Sequence, residues 1–181
     1  MKKAWISVAA IALVLCCAVG GTLAWLSTKT DPVVNTFTVG DINIKLSETT
    51  SGYKMVPGNT IDKNPTVTVK AGSEACWLFV KVDESVNAKF SDFITYEMAD
   101  GWTALTGETG VYYRTVSAAN ADSDFTVLKD NQVTVKSDVT KQMLNALTAD
   151  TYPTLTFTAY AVQQDNITDV ATAWTTAKTA Q

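Results

Sequence analysis

One stretch limits the folds open to this chain more than any other. Cys76-Trp77-Leu78-Phe79-Val80-Lys81-Val82 is apolar on both parities until Lys81. Successive strand side chains point to opposite faces, so a strand of this composition needs cover on both sides. That places it in the middle of a layered β structure rather than at a rim. The chain supplies candidate neighbours. Asp41 to Ser47 alternates, with Ile42, Ile44 and Leu46 on one face, and Thr154 to Val162 alternates most cleanly, with Leu155, Phe157, Ala159 and Ala161 on one side.

Turn chemistry separates these runs. Val56-Pro57-Gly58-Asn59 has the residues of a tight turn; Pro65 opens a strand over Thr66 to Lys70 that Ala71-Gly72-Ser73 closes. Phe93 to Glu97 and Trp102 to Leu105 flank Ala99-Asp100-Gly101, which predicts a hairpin. Val111 to Arg114 and Phe125 to Leu128 read as two more short strands, separated by a polar loop from Ser117 to Asp124. Two segments leave the β pattern. Ser137 to Leu147 sets Val139, Met143, Leu144 and Leu147 near one helical face behind a Ser137 or Asp138 cap. Ile167 to Lys178 spaces Val170, Ala171, Trp174 and Lys178 at helical intervals, with Asn166 and Asp169 placed like a capping box. Eight or so short strands, one or two short helices and no βαβ alternation predict an all-β fold, an antiparallel jelly-roll-like sandwich forming one domain over residues 25–181.

The N-terminus reads as an address, a signal-peptide helix preceding that domain. Lys2 and Lys3 form a positive region, Ala4 to Val19 is almost unbroken apolar sequence, and Thr22-Leu23-Ala24 supplies small residues for cleavage between Ala24 and Trp25. The rival is an uncleaved anchor over Ala4 to Leu26, which Gly20-Gly21 interrupt. Leu15-Cys16-Cys17 lacks the small residue that a lipoprotein signal needs. Cleavage leaves 157 residues with 12 basic and 18 acidic side chains, a balance of −6 that argues against nucleic acid as a partner. The membrane is then met only through the signal peptide before cleavage. Cys76 remains the one cysteine of the exported chain, so no intramolecular disulfide forms and the thiol is expected buried and inert.

The chain contains no histidine. Ser-His-Asp triads, Cys-His pairs and His-Glu-x-x-His zinc sites all need imidazole and are excluded. Ser51-Gly52-Tyr53-Lys54 matches Ser-x-x-Lys but lacks the companion motifs. Asp122 and Asp124 are too few oxygens for calcium and read as a solvated acidic loop. Asn166-Ile167-Thr168 fits a glycosylation acceptor, although capping explains it better. Trp77, Trp102 and Trp174 invite a sugar-stacking reading, against which each lies where core packing is expected. No catalytic residue, cofactor or metal is expected.

Gly21-Thr22-Leu23-Ala24-Trp25-Leu26-Ser27, followed by Asn35-Thr36-Phe37-Thr38-Val39-Gly40 and the Ile42-Ile44-Leu46 strand, resembles the N-terminus of the TasA/camelysin family of Gram-positive bacteria. Val56-Pro57-Gly58, the Trp77 to Val82 strand, Asp100-Gly101-Trp102, Ala159-Tyr160-Ala161-Val162-Gln163 and Ala173-Trp174 extend the resemblance over nearly the whole chain. It implies Sec export, cleavage by a dedicated signal peptidase, a jelly-roll domain, and assembly into extracellular biofilm matrix fibres in which the N-terminal strand of one subunit completes a sheet of the next. The resemblance also implies an accessory fibre-anchoring protein as a further partner. Camelysin is described as a metalloprotease, and a chain without histidine does not carry that activity over.

The donor would be Trp25 to Asp31, set off from the next strand by Pro32. Fixing seven residues costs about 7–14 kcal/mol, and burying Trp25 and Leu26 returns about 4–8 kcal/mol. The balance needs some seven backbone hydrogen bonds at about 1 kcal/mol each, or a donor running on through Val33, Phe37 and Val39. The alternative is a monomeric secreted or surface-anchored adhesin in which Trp25 to Val39 pairs within its own sandwich.

Overall fold

Strand-forming sequence dominates the residues this computed structural model describes, which are 41–49, 53–86, 89–118 and 122–179. They hold ten strands: β1 (Ile44–Ser47), β2 (Thr60–Asp62), β3 (Thr66–Val69), β4 (Cys76–Glu84), β5 (Ile94–Thr95), β6 (Thr103–Ala104), β7 (Val111–Val116), β8 (Ser123–Thr126), β9 (Gln132–Val135) and β10 (Leu155–Gln163). Three short helices accompany them: α1 (Phe90–Phe93), α2 (Lys141–Asn145) and α3 (Val170–Thr179). The fold is all-β, and every ladder is antiparallel.

The strands form three sheets, ordered β1-β3-β8, β10-β4-β7-β6 and β2-β9-β5. The first and third are joined end to end, because β2 runs into β3 and β8 into β9. Val127 N donates to Pro65 O at 3.0 Å and Lys63 N to Asn131 O at 2.7 Å, carrying the pairing across the junction. Residues 63–65 there face residues 127–131, and the longer side is taken up by a 3-10 turn at Lys129–Asn131. Asp130 and Asn131 sit in the left-handed region at φ 54° and 55°, the conformation in which Asn and Asp are least penalised among non-glycine residues.

β4 occupies the position its composition demands. Its even-numbered side chains, Cys76, Leu78, Val80 and Val82, pack with Val67 and Val69 of β3 and with Val127, forming the core between two sheets. Phe79 points the other way, into a second cluster with Leu105, Val111, Ala173, Trp174 and Ala177. α3 therefore covers the outer face, with the Trp174 ring 5.3 Å from Phe79 and 5.1 Å from Tyr160. A third cluster, Phe90, Phe93, Ile94, Leu128, Val133, Val135 and Val139, fills the end of the β2-β9-β5 sheet under α1 and α2. Each fully buried Val, Leu or Phe contributes about 1.5–3 kcal/mol, and β4 buries more apolar side chains than any other described strand.

Several local expectations hold. Gly58 supplies φ 76° in the turn that Asn59 N closes on Val56 O at 3.0 Å, and Ser73 N closes the turn after β3 on Lys70 O at 3.1 Å. Cys76 is fully buried and unpaired, and burial pushes its thiol up to about 11. Others are corrected. Ala99 to Trp102 forms a turn but not a hairpin: β5 pairs with β9 and β6 with β7, so the turn carries the chain from one sheet to another. The Trp102 indole N–H fixes that crossing by donating to Thr126 O at 2.8 Å. α2 is capped by Thr140, whose hydroxyl accepts from Met143 N at 3.2 Å, rather than by Ser137 or Asp138. Asp169 alone caps α3, accepting from Thr172 N at 2.8 Å, while Asn166 takes φ 64° in the preceding turn. β2 is only three residues long and flanked by polar residues, so alternation does not reveal it, whereas Gln132-Val133-Thr134-Val135-Lys136 alternates over β9.

Candidate functional site: an open seam between two sheet edges

The register of β10 on β4 decides which of its backbone groups are free. Ser85 N donates to Thr154 O at 3.0 Å and Gln164 N to Ala75 O at 2.8 Å, so the even-numbered residues of β10 face β4. The N–H and C=O groups of Leu155, Phe157, Ala159, Ala161 and Gln163 therefore point to the opposite edge, where no described residue pairs with them. β1 repeats the arrangement. Lys70 N donates to Asn43 O at 2.8 Å, which turns Lys45 and Ser47 toward β3 and leaves the backbone groups of Ile44 and Leu46 facing outward.

These two edges, one from each sheet, flank a common cleft of about 350 Å³ lined by Leu46, Ser47, Glu48, Pro65, Leu155, Thr156 and Phe157. Side chains along the seam belong to the core between the sheets but are only half-buried: Ile44, Leu46, Leu155, Phe157, Ala159 and Ala161, against complete burial of Val67, Leu78 and Val80 on the central strands. Among the described residues the core is closed in its middle and open along one side. β10 also lacks the devices that guard exposed edges. Leu-Thr-Phe-Thr-Ala-Tyr-Ala-Val-Gln has no charge, proline or glycine over nine residues, whereas β2, β5, β6 and β8 are edges of four residues or fewer.

At one end the cleft meets a larger groove of about 780 Å³, with Glu48 and Leu155 common to both. Lys63 is buried at the junction. Its ammonium lies 2.8 Å from Glu48 Oε1 and over the rings of Tyr53 and Phe157 at 5.1 and 5.4 Å. The Tyr53 hydroxyl donates to the same carboxylate oxygen at 2.7 Å, and burial, reinforced by that carboxylate, pushes the phenol up. This cluster ties the end of β1 to the β2–β3 junction and neutralises the only charge buried at the seam among the described residues.

The other side chains singled out by the sequence are committed elsewhere. Asp122 accepts from Lys70 Nζ at 2.7 Å and Ala71 N at 2.9 Å, which lowers its carboxyl, and Asp124 accepts from the Thr68 hydroxyl at 2.6 Å. Among the described residues no group of three or more cysteine, aspartate or glutamate side chains lies together. Trp77 donates to Ile167 O at 2.9 Å, and Trp174, on α3, is buried against Phe79 and Tyr160. Ser51 and Gly52 lie outside the described residues, as do Ala24, Trp25, Leu26, Val33, Phe37 and Val39.

The seam residues Leu155, Phe157, Ala159 and Ala161 are legible as one strand face. That this strand is an edge is not, although the missing gatekeeper residues are a usable signal once its position is known. No family model, curated protein or solved structure matches this chain.

Proposed function

We propose that this chain is a secreted structural subunit of extracellular biofilm matrix fibres, polymerising head to tail by laying the N-terminal segment of one copy into the seam of the next. The observation that carries this reading is the nine-residue, uncharged edge of β10, which no described residue pairs, beside an apolar core that the described residues leave half-open. An extended segment added there gains main-chain hydrogen bonds for affinity and places alternate side chains in the cleft for specificity. The edge offers five N–H and five C=O groups. At about 1 kcal/mol per bond, they are enough to make up what burial of Trp25 and Leu26 leaves unpaid in ordering the donor.

The resemblance of the N-terminal motif to the TasA/camelysin family supports the same reading, as does the ladder pattern. β4·β7 nests within the pairing of β2 and β3 with β8 and β9, as in a jelly roll, and the first and last strands, β1 and β10, flank the seam. In this reading the chain is exported through its signal peptide, cut by signal peptidase after Ala24, needs no cofactor, and catalyses nothing. An accessory protein would anchor the fibre. Deleting residues 25–34 tests it: the truncated protein folds, and electron microscopy shows no fibres where the intact exported chain forms them. Fibres from the truncated protein overturn the proposal, as does a single monomer peak from the intact chain at every concentration, the behaviour of an adhesin.

A further inference from the structure

The larger groove has chemistry that strand addition at β10 does not use. Ile61, Ile94, Val133, Leu144 and Leu147 line it with apolar side chains, and its volume of about 780 Å³ is that of a small-molecule site. Its charges are unevenly committed. Lys63 and Glu48 neutralise each other, with the Lys63 ammonium further covered by two aromatic rings. Lys54 is exposed in the lining and has no carboxylate partner among the described residues. Among the described residues the lining thus holds two lysines and one glutamate, one positive charge in excess, in a chain of net charge −4.

We propose that this groove binds a single-chain amphiphile with a carboxylate head, a ligand of the fatty-acid class, its tail along Ile61, Val133, Leu144 and Leu147 and its head at Lys54. A positive charge at the site selects an anionic head over a cationic one in a protein whose overall field does the opposite. The apolar walls favour a long tail over a short one, because affinity rises with apolar area removed from water. The inference does not depend on fibre assembly, since the groove belongs to a single copy.

The test is calorimetric titration of the full-length protein, below the micelle concentration, with dodecanoate, hexanoate and dodecyltrimethylammonium. Dodecanoate is expected to bind with one-to-one stoichiometry and at least about tenfold more tightly than either comparison ligand. Lys54→Glu is expected to weaken dodecanoate about fivefold and to strengthen the ammonium probe. Leu144→Trp, which fills the groove from a half-buried position, is expected to weaken dodecanoate at least about tenfold. Circular dichroism checks that both variants keep the β fold. Equal affinity for the cationic probe, an unchanged dodecanoate affinity in Lys54→Glu, or no binding at all overturns the proposal. Each of these outcomes leaves fibre formation by the intact chain unaffected, so failure here is separable from failure of the fibre reading.

Discussion

Replacing Ala159 by proline separates the two edges of β10 in one substitution. Ala159 lies opposite Val80 in a pair that does not exchange hydrogen bonds, so its N–H points to the open edge and takes no part in the ladder with β4. Proline removes that donor and fixes φ near −65°, which edge positions tolerate when the lost N–H faces away from the sheet. The cost to the isolated fold is about 1 kcal/mol, a fall in melting temperature of about 2–4 °C for a chain of this size. An incoming strand fares worse. It loses the bond to Ala159 N–H, and the ring Cδ crowds its backbone and strains the neighbouring bonds, a total of about 2–4 kcal/mol or about 30- to 1000-fold in subunit affinity. Tyr160→Pro is the control, since its N–H faces β4 and its ring packs on Trp174; it unfolds the domain at a cost of about 3 kcal/mol or more. Sedimentation and electron microscopy read the result. Ala159→Pro should stay monomeric at concentrations where the parent is fibrous, with the parent's circular dichroism spectrum. Normal fibres from a folded Ala159→Pro protein would refute the assignment of β10 as the acceptor edge.

Three further perturbations probe the fold that holds the seam open. Gly110 sits at φ 73° with its missing Cβ directed at the Val82 carbonyl oxygen, so Gly110→Ala should cost more than about 2 kcal/mol in urea unfolding, whereas an unchanged midpoint would mean that this turn can shift. Arg114 lies over Phe125 and Trp102 at 4.2 and 5.4 Å, with Nε buried and without an acceptor and its charge disfavoured by burial. Arg114→Met, which keeps the packing and removes the desolvated charge, should be neutral or stabilising, and Arg114→Ala should cost about 2 kcal/mol; a large loss in the methionine variant would show that the charge itself is needed. The Thr172 N–H holds the Asp169 carboxyl below its usual range, so this cap contributes stability above the unfolded-state value and loses it as pH falls through the folded one. Melting temperature should drop on going from pH 7 to pH 3 in the parent, and Asp169→Asn should remove part of that drop; an equal drop in both would exclude the cap as a contributor.

Local chemistry accounts for much of what the sequence shows by itself. The two-sided apolarity of Cys76 to Val82 demanded cover on both faces, and it is met by β3 on one side and α3 on the other. The alternation in β1 and β10 placed Leu46, Phe157 and Ala159 on core-facing sides, because side-chain parity follows from backbone geometry alone. The absence of histidine excluded whole classes of catalysis for the same kind of reason: the chemistry needs a group that the chain does not contain. Pairing partners are different, since they depend on residues far apart in the chain. Ala99-Asp100-Gly101 encodes a turn, yet whether its flanking strands join each other or diverge depends on β7, which follows β6 closely, and on β9, more than thirty residues beyond the turn. A strand as short as β2 is held by its neighbour β9 rather than by propensity. The seam is the clearest case. Each of its side chains was readable as core, but that the core stops there, with the backbone of β10 facing outward, is a property of sheet order, and sheet order exists only in the folded chain.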